Sequence, residues 1–230
     1  MVNIVNKIDD LVKVRLVLLS VSDKRGLEFL VPGLLKSCPG VKFISTGGTY
    51  ARLRELLLDK DAKKRLLQVS DYTAQPETQG GLVKTLDFKI YLGLLTETYN
   101  PAHQKDLKRT KALPIDLVVV NLYPFQATVA RAGVTVEEAR ANIDIGGPCM
   151  IRAAAKNYLR TAPVVDPRDY PRLIKELGKN RGATTLKLRY DLAKKAFAHT
   201  ANYDTAIAAY LSKQTPAKVR AAYPQIKEKK

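Results

Sequence analysis

Seven residues, Ile115-Asp116-Leu117-Val118-Val119-Val120-Asn121, constrain this chain more than any others. A continuous, β-branched apolar run of strand length has no face it can leave in water. It suits a strand covered on both sides, as in a parallel sheet between helix layers. Arg15-Leu16-Val17-Leu18-Leu19-Ser20 is a second such run. Val41 to Ile44, Leu66 to Val69, Ile90 to Leu95 and Ala162 to Val165 read as further strands. Helical patterns lie between them. Leu27, Leu30, Val31, Leu34 and Leu35 fall on one helical face. Other helices are expected from about Tyr50 to Leu58, from Asn100-Pro101 to about Ala112, and from Asp166-Pro167 through Leu177. Alternating strands and helices predict an α/β fold with a mostly parallel sheet. Thr184 to Leu211 has helical spacing and reads as one or two helices packed on that body. The expected organisation is a 1–14 extension, a 15–180 core, a 181–212 helical extension and a basic, loosely ordered 213–230 tail carrying Lys213, Lys218, Arg220, Lys227, Lys229 and Lys230.

Ligands in open α/β sheets gather at the carboxyl ends of strands. Three candidate loops sit at such ends. The first is Ser45-Thr46-Gly47-Gly48-Thr49, a strand, glycine turn and helix start, which can cradle phosphate on backbone N–H groups or be purely structural. It is neither a Walker loop nor a dinucleotide fingerprint. The second is Asn121-Leu122-Tyr123-Pro124-Phe125, where Asn121 and Tyr123 are candidates and the Tyr123 ring could instead cap the core. The third is Asn142-Ile143-Asp144-Ile145-Gly146-Gly147-Pro148, read as a turn into a helix opened by Pro148. Asp144 precedes that helix and Lys156 lies about two turns into it. An acid and an amine near an anion-friendly helix start suit proton transfer on a charged substrate; an ordinary turn with a surface lysine would look the same. The long stretch from Ser70 to Leu86 is aperiodic, and its Lys84-Thr85 either grips an anion or is solvated. Thr135 and Glu138 form a capping box.

Charge narrows the partners. Lys and Arg number 39 against 22 Asp and Glu, a net +17 that attracts anions such as phosphorylated metabolites or nucleic acid. No nucleic-acid motif accompanies that charge, and the basic residues are scattered. Two cysteines, Cys38 and Cys149, and two separated histidines give neither a disulfide framework nor a metal site. The N-terminal residues are too charged for a signal peptide or a membrane span, so a reducing cytoplasm is the expected location.

The motifs taken together resemble one family. Leu18-Leu19-Ser20-Val21-Ser22-Asp23-Lys24, Ser45 to Thr49, Val69-Ser70-Asp71-Tyr72-Thr73, Val83-Lys84-Thr85-Leu86, Asp116 to Phe125, Asn142 to Gly147, Arg152-Ala153-Ala154-Ala155-Lys156-Asn157 and Lys195-Ala196-Phe197-Ala198-His199-Thr200 occur in family order. The chain is similar, over about Leu16 to Leu211, to the IMP cyclohydrolase domain of the bifunctional purine-synthesis enzyme that also carries AICAR transformylase. The resemblance implies a methylglyoxal-synthase-like three-layer sandwich with a C-terminal helical extension, working as a homodimer, with no cofactor, no metal and no folate binding. It implies ring closure of 5-formamidoimidazole-4-carboxamide ribotide (FAICAR) to IMP with loss of water. Lys156 would be the leading proton donor or acceptor, with Lys84, Tyr123 and Asp144 completing the catalytic set. Ser22, Lys24, Thr46, Gly47, Gly48 and Thr49 would hold the phosphate, Lys84, Thr85, Asn121, Asp144 and Ile145 the base and ribose, and Asp23, Leu122 and Gly146 would also bind the substrate. The family usually has Gly-Arg-Val-Lys-Thr-Leu-His-Pro and a further His; here Leu82, Asp87, Phe88 and Tyr91 replace the Arg, the His, the Pro and the second His. Loss of the Arg removes a bidentate anion contact. The alternative expectation is a non-catalytic nucleotide- or phosphate-sensing module on the same fold. Methylglyoxal synthase itself is argued against by the Asn121–Phe125 and Asp144–Lys156 motifs.

Overall fold

A computed structural model describes residues 4–76, 78 and 84–224. Its centre is a five-stranded parallel sheet in the order β4-β3-β2-β5-β6, formed by β2 (Leu16–Val21), β3 (Lys42–Ser45), β4 (Leu66–Gln68), β5 (Leu117–Asn121) and β6 (Ala162–Val164). The Ile115–Asn121 run supplies β5 and lies next to β2, with Leu18 opposite Val118 and Val21 opposite Asn121. Alternate residues of β2 explain why it carries no polar face. Val17, Leu19 and Val21 enter one core with α1 (Leu27–Ser37), α2 (Gly47–Arg65) and α9 (Tyr170–Lys179). Leu16 and Leu18 enter the other with α4 (Phe88–Leu95) and α8 (Gly146–Lys156). Each fully buried Leu of this kind contributes on the order of 1.5–3 kcal/mol. The three layers are those the resemblance implied.

Connections set the site. From β2 the chain moves to β3 and β4 on one side, then returns to place β5 and β6 on the other. The order therefore reverses beside β2, and the crevice outside the carboxyl ends of β2 and β5 is where such sheets bind ligands. A separate antiparallel ribbon joins β1 (Leu11–Lys13) to β7 (Ala183–Thr185). It ties three residues of the supposed N-terminal extension to the supposed C-terminal one. α10 (Leu186–Leu211) is a single 26-residue helix. It feeds both cores, Leu188 and Leu192 to one and Ala193, Ala196 and Tyr203 to the other.

Several elements differ from expectation. Ile90 to Leu95 is not a strand but the body of α4. The Asp87 carboxylate caps that helix by accepting the Lys89 N–H at 2.7 Å, and Ile90, Gly93 and Leu94 turn inward. A Cβ on Gly93 would stand 2.4 Å from the Leu113 carbonyl oxygen, so the helix crosses the backbone too closely for any side chain there. α2 runs past Leu58, which has a left-handed φ of 56° and breaks it into two pieces. α8 starts at Gly146, two residues before Pro148. α3 (Val69–Thr73) occupies the head of the aperiodic stretch, while residues 77 and 79–83, with Gly80, Gly81, Leu82 and Val83 among them, lie outside the described residues. A 3₁₀ turn at Pro167–Asp169 precedes α9. In the tail, Thr215 caps α11 (Pro216–Ala221), and Lys227, Lys229 and Lys230 lie outside the described residues. The remaining helices are α5 (Pro101–Thr110), α6 (Phe125–Val129) and α7 (Val136–Ala141), the last opened by the expected capping box.

Candidate functional site

A cavity of about 300 Å³ occupies the crevice at the carboxyl ends of β2, β3 and β5. Of the residues singled out in the sequence, Ser22, Lys24, Thr46, Gly47, Gly48, Thr49, Lys84, Thr85, Asn121, Tyr123, Asp144 and Gly146 line it. Ser20, Val21, Leu86, Val120, Gly147 and Met150 line it too. Strand-end geometry points to Ser20, Val21 and Val120, since they adjoin residues already marked; Met150 carried no chemical signal.

Two helix starts face this cavity. Gly47 and Gly48 open α2, and Gly146 and Gly147 open α8. N–H groups in a first helical turn have no intrahelical acceptor, and the helix dipole makes that end positive. Gly47 has a left-handed φ of 49°, which a side chain would resist. The bare Gly47-Gly48 surface is covered by two amines. Lys84 Nζ lies 3.7 Å from where a Cβ would stand on Gly47, and Lys24 Nζ 3.6 Å from the corresponding point on Gly48. Among the described residues no carboxylate pairs with either lysine, and the one hydrogen bond of Lys24 Nζ is a 3.5 Å contact to the Ser22 carbonyl. Two unneutralised ammonium groups above a helix N-terminus form a seat for a phosphate-sized anion. The Thr49 hydroxyl is not spare: it donates to the Val21 carbonyl and accepts the Val21 N–H, both at 3.0 Å, and so stitches α2 to the end of β2.

The opposite wall carries the acid. Asp144 accepts the Gly147 N–H at 2.8 Å and a further backbone hydrogen bond from Tyr123. Burial nevertheless pushes its carboxyl above the ordinary aspartate range, because those two N–H groups only partly offset desolvation. The carboxylate thus bridges the loop after β5 and the first turn of α8. Gly147 is forced by this packing, since a Cβ there would lie 2.6 Å from Asp144 Oδ2 and from Leu122 Cδ2. A Cβ on Gly146 would meet Thr85 Oγ1 at 2.6 Å.

Four expected residues are not part of the cavity lining. Leu122 is buried behind it. Ile145 stands outside at the rim, 57% exposed. The Asp23 side chain turns away to Arg25, which binds it through Nε at 2.8 Å and Nη2 at 2.6 Å and holds its carboxyl below the usual range. Only the Asp23 backbone bears on the site. Its N–H donates to Asn121 Oδ1 at 2.9 Å and its carbonyl accepts Asn121 Nδ2 at 2.8 Å, so the Asn121 amide latches the β2 loop to β5. Lys156 is the largest correction. It is the last residue of α8 and exposed. Ten residues of helix carry it about 15 Å from Gly146. The following Asn157 hydrogen-bonds the Leu94 and Thr96 carbonyls, and Arg160 pairs with Asp116, so this end of α8 lies by the amino edge of the sheet. One chain does not gather Lys156 with Lys84, Tyr123 and Asp144.

The departures from the family pattern fall mostly outside the cavity. Asp87 caps α4 and accepts Gln75 Nε2 at 2.7 Å. Phe88 is 60% exposed and is not among the cavity-lining residues. Tyr91 packs against the second core beside Cys149. Leu82 lies outside the described residues. Among the described residues no group of three or more His, Cys, Asp or Glu could hold a metal ion, and no helix is long and apolar enough to cross a membrane.

Comparison with known proteins agrees with this architecture. The MGS-like domain family matches residues 34–149, and the AICARFT/IMPCHase bienzyme family matches residues 154–230. Similar curated proteins include the bifunctional purine biosynthesis protein PurH of Magnetococcus marinus, 48% identical over 87% of this chain and 36% of that protein. The PurH of Trichormus variabilis is 46% identical over 86% of this chain and 38% of that protein. The chain thus spans a little over a third of the length of these relatives. A crystal structure of ForH superposes with a TM-score of 0.68 at 33% identity, covering 85% of this chain and 97% of that one. The chain belongs to the MGS-like domain family, in the form that continues into an AICARFT/IMPCHase segment.

Proposed function

We propose, from that membership, that the chain acts in purine biosynthesis as an IMP cyclohydrolase, closing FAICAR to IMP. The observation that carries this reading is the convergence of Lys24 and Lys84 on the Gly47-Gly48 turn, opposite Tyr123 and Asp144. A 5′-phosphate fits the α2 start on the Gly48 side, under Lys24, which leaves the Lys84 ammonium to the reacting groups. The carboxamide and formamido groups then extend toward Asp144 and Tyr123. A carboxamide nitrogen is a poor nucleophile until a proton leaves it, and Asp144, with its raised affinity for protons, accepts one as the new C–N bond forms. The formyl oxygen gathers negative charge in that step. The Tyr123 hydroxyl and the Lys84 ammonium stabilise it, and Lys84 protonates it to a hydroxyl; that hydroxyl takes back the proton held by Asp144 and departs as water, while the formamido N–H proton passes to the neutral Lys84 amine. Everything required is a proton acceptor, donors at the oxyanion and a phosphate seat.

The sequence resemblance also gives Lys156 a proton-transfer role, which its own chain cannot fulfil at this cavity. Lys156 acts there only if a second copy delivers it, and the homodimer implied by the resemblance supplies that copy. Two measurements test the reading. The purified chain, given FAICAR, should generate the ultraviolet chromophore of IMP; absence of turnover with intact IMP binding would favour the sensing alternative. Lys84→Ala and Lys156→Ala chains, each inactive alone, should recover about a quarter of the wild-type sites when mixed as subunits. No recovery would remove Lys156 from the site.

A further inference from the structure

The cavity is lined by residues before α9, yet its acid is held from behind by α10. Tyr203 on α10 is 8% exposed and is not part of the cavity lining. Its hydroxyl accepts the Asp144 N–H at 2.8 Å and donates to the Asn142 carbonyl at 3.2 Å. One phenol therefore closes the 142–144 turn at both of its ends, across Ile143. Its ring meets Phe125 edge-on, with centroids 6.2 Å apart and planes at 67°. Phe125 is two residues beyond Tyr123, whose N–H also bonds the Asp144 carboxylate. Tyr203 thus bears on both segments that fix the carboxylate, the loop after β5 and the turn before α8.

We infer that Tyr203 is a positioning residue, whose hydroxyl sets the place and the burial of the Asp144 carboxylate at the cavity wall. The inference rests on the cyclohydrolase reading only for its kinetic consequence. The MGS-like match ends at residue 149, so the element that fixes the acid lies in the part of the chain outside that match. A phenol suits the task because it donates and accepts at one atom while its ring stays in the core. Phenylalanine would keep the ring and lose both bonds. Around Asp144 the ionisable groups are Tyr203 from α10, Tyr123 from the β5 loop, and Lys24 and Lys84 across the cavity; Asp204 lies beside Tyr203.

The test compares the whole chain with its Tyr203→Phe variant. In the wild type the Asp144 amide is protected from hydrogen exchange, and the variant exchanges it at least about tenfold faster. Carbon-13 titration of the Asp144 carboxyl shows its proton affinity falling toward that of an ordinary aspartate as the turn loosens and water enters. Turnover shows kcat about ten- to a hundredfold lower with KM little changed, and the acidic limb of the kcat profile moves to lower pH. An unprotected Asp144 amide in the wild type overturns the inference without any variant. A variant with unchanged titration also overturns it, even where turnover has dropped, because a purely packing role lowers active fraction without moving the carboxyl. If the wild type fails to turn over FAICAR, the cyclohydrolase reading falls, and the exchange and titration measurements still decide the role of Tyr203.

Discussion

The two edges of the parallel sheet carry the same kinds of group and put them to opposite use. At the amino edge, Asp116 and Arg160 are both buried and pair at 2.9 Å. Asp116 Oδ2 also accepts the Arg15 and Leu16 N–H groups, at 2.9 and 3.1 Å. Arg160 donates to the Gly93, Thr96 and Ile115 carbonyls, at 2.6, 3.1 and 2.9 Å. Burial pushes the Asp116 carboxyl up and the Arg160 guanidinium down, and each is resisted by the other. At the carboxyl edge, Asp144 holds two N–H groups but, among the described residues, no cation, and Lys24 and Lys84 hold no anion there. A charge whose hydrogen bonds close within the protein fastens β5, β6 and α4 together. A charge left without its complement makes a binding site. α8 spans the two, with Gly147 at one edge and Asn157 at the other.

The contrast is sharpest in stability. Arg160→Ala leaves Asp116 buried without its cation and should lower the unfolding free energy by about 3–5 kcal/mol in urea titrations. A smaller loss than that of any cavity variant would break the comparison. Lys84→Ala should do the reverse. Its stability should stay within about 0.5 kcal/mol of wild type, while FAICAR turnover falls on the order of a hundred- to a thousandfold, as for removal of an oxyanion donor. Gly48→Ala separates seat from scaffold more finely. Gly48 has no left-handed strain and a Cβ would stand 3.6 Å from Lys24, so the helix should gain roughly 0.5–1 kcal/mol. IMP affinity by calorimetry should nevertheless drop about tenfold as the methyl enters the anion seat. An unchanged affinity would move the phosphate elsewhere.

The smallest effect is in pH. Asp144 is raised in the folded chain, so activity that needs its carboxylate is lost on acidification at a higher pH than an ordinary aspartate near 3.9 would give. Linkage runs the other way for stability. The folded state holds this proton more tightly than the unfolded one, so the contribution is complete below about 3.9 and is lost as pH rises through the folded value. Asp144→Asn should remove both the acidic limb of kcat and that part of the stability profile.

Much of this was legible in the residues because the physics is local. Unbroken apolar runs demand two covered faces, and Leu16–Val21 and Leu117–Asn121 received them. Glycines before a helix mark a bare N-terminus, and the Gly47-Gly48 and Gly146-Gly147 turns line the cavity. What escaped is long-range. Ile90 to Leu95 reads as a strand because its apolar string looks alike in either period; the Asp87 cap and the close crossing at Gly93 decided for helix. Lys156 sits close to Asp144 in sequence, and a rigid helix turned that closeness into separation. Little around Arg160 in sequence foretells a buried guanidinium, because apart from Thr161 its acceptors come from residues 93, 96, 115 and 116. Tyr203 lay in a helical pattern with no hint that its hydroxyl reached residues 142 and 144.

The close fit of Thr85 against Gly146 has a mechanical corollary. Lys84 adjoins Thr85 on one side of that contact and Asp144 stands on the other, two residues before Gly146. With no room between them for even a methyl group, a shift of residues 84–85 toward Gly146 would press on the turn that carries Asp144. On the proposed function, the two groups that meet the closing ring are thereby geared to each other, so a ligand seated short of its full depth leaves the acid out of alignment.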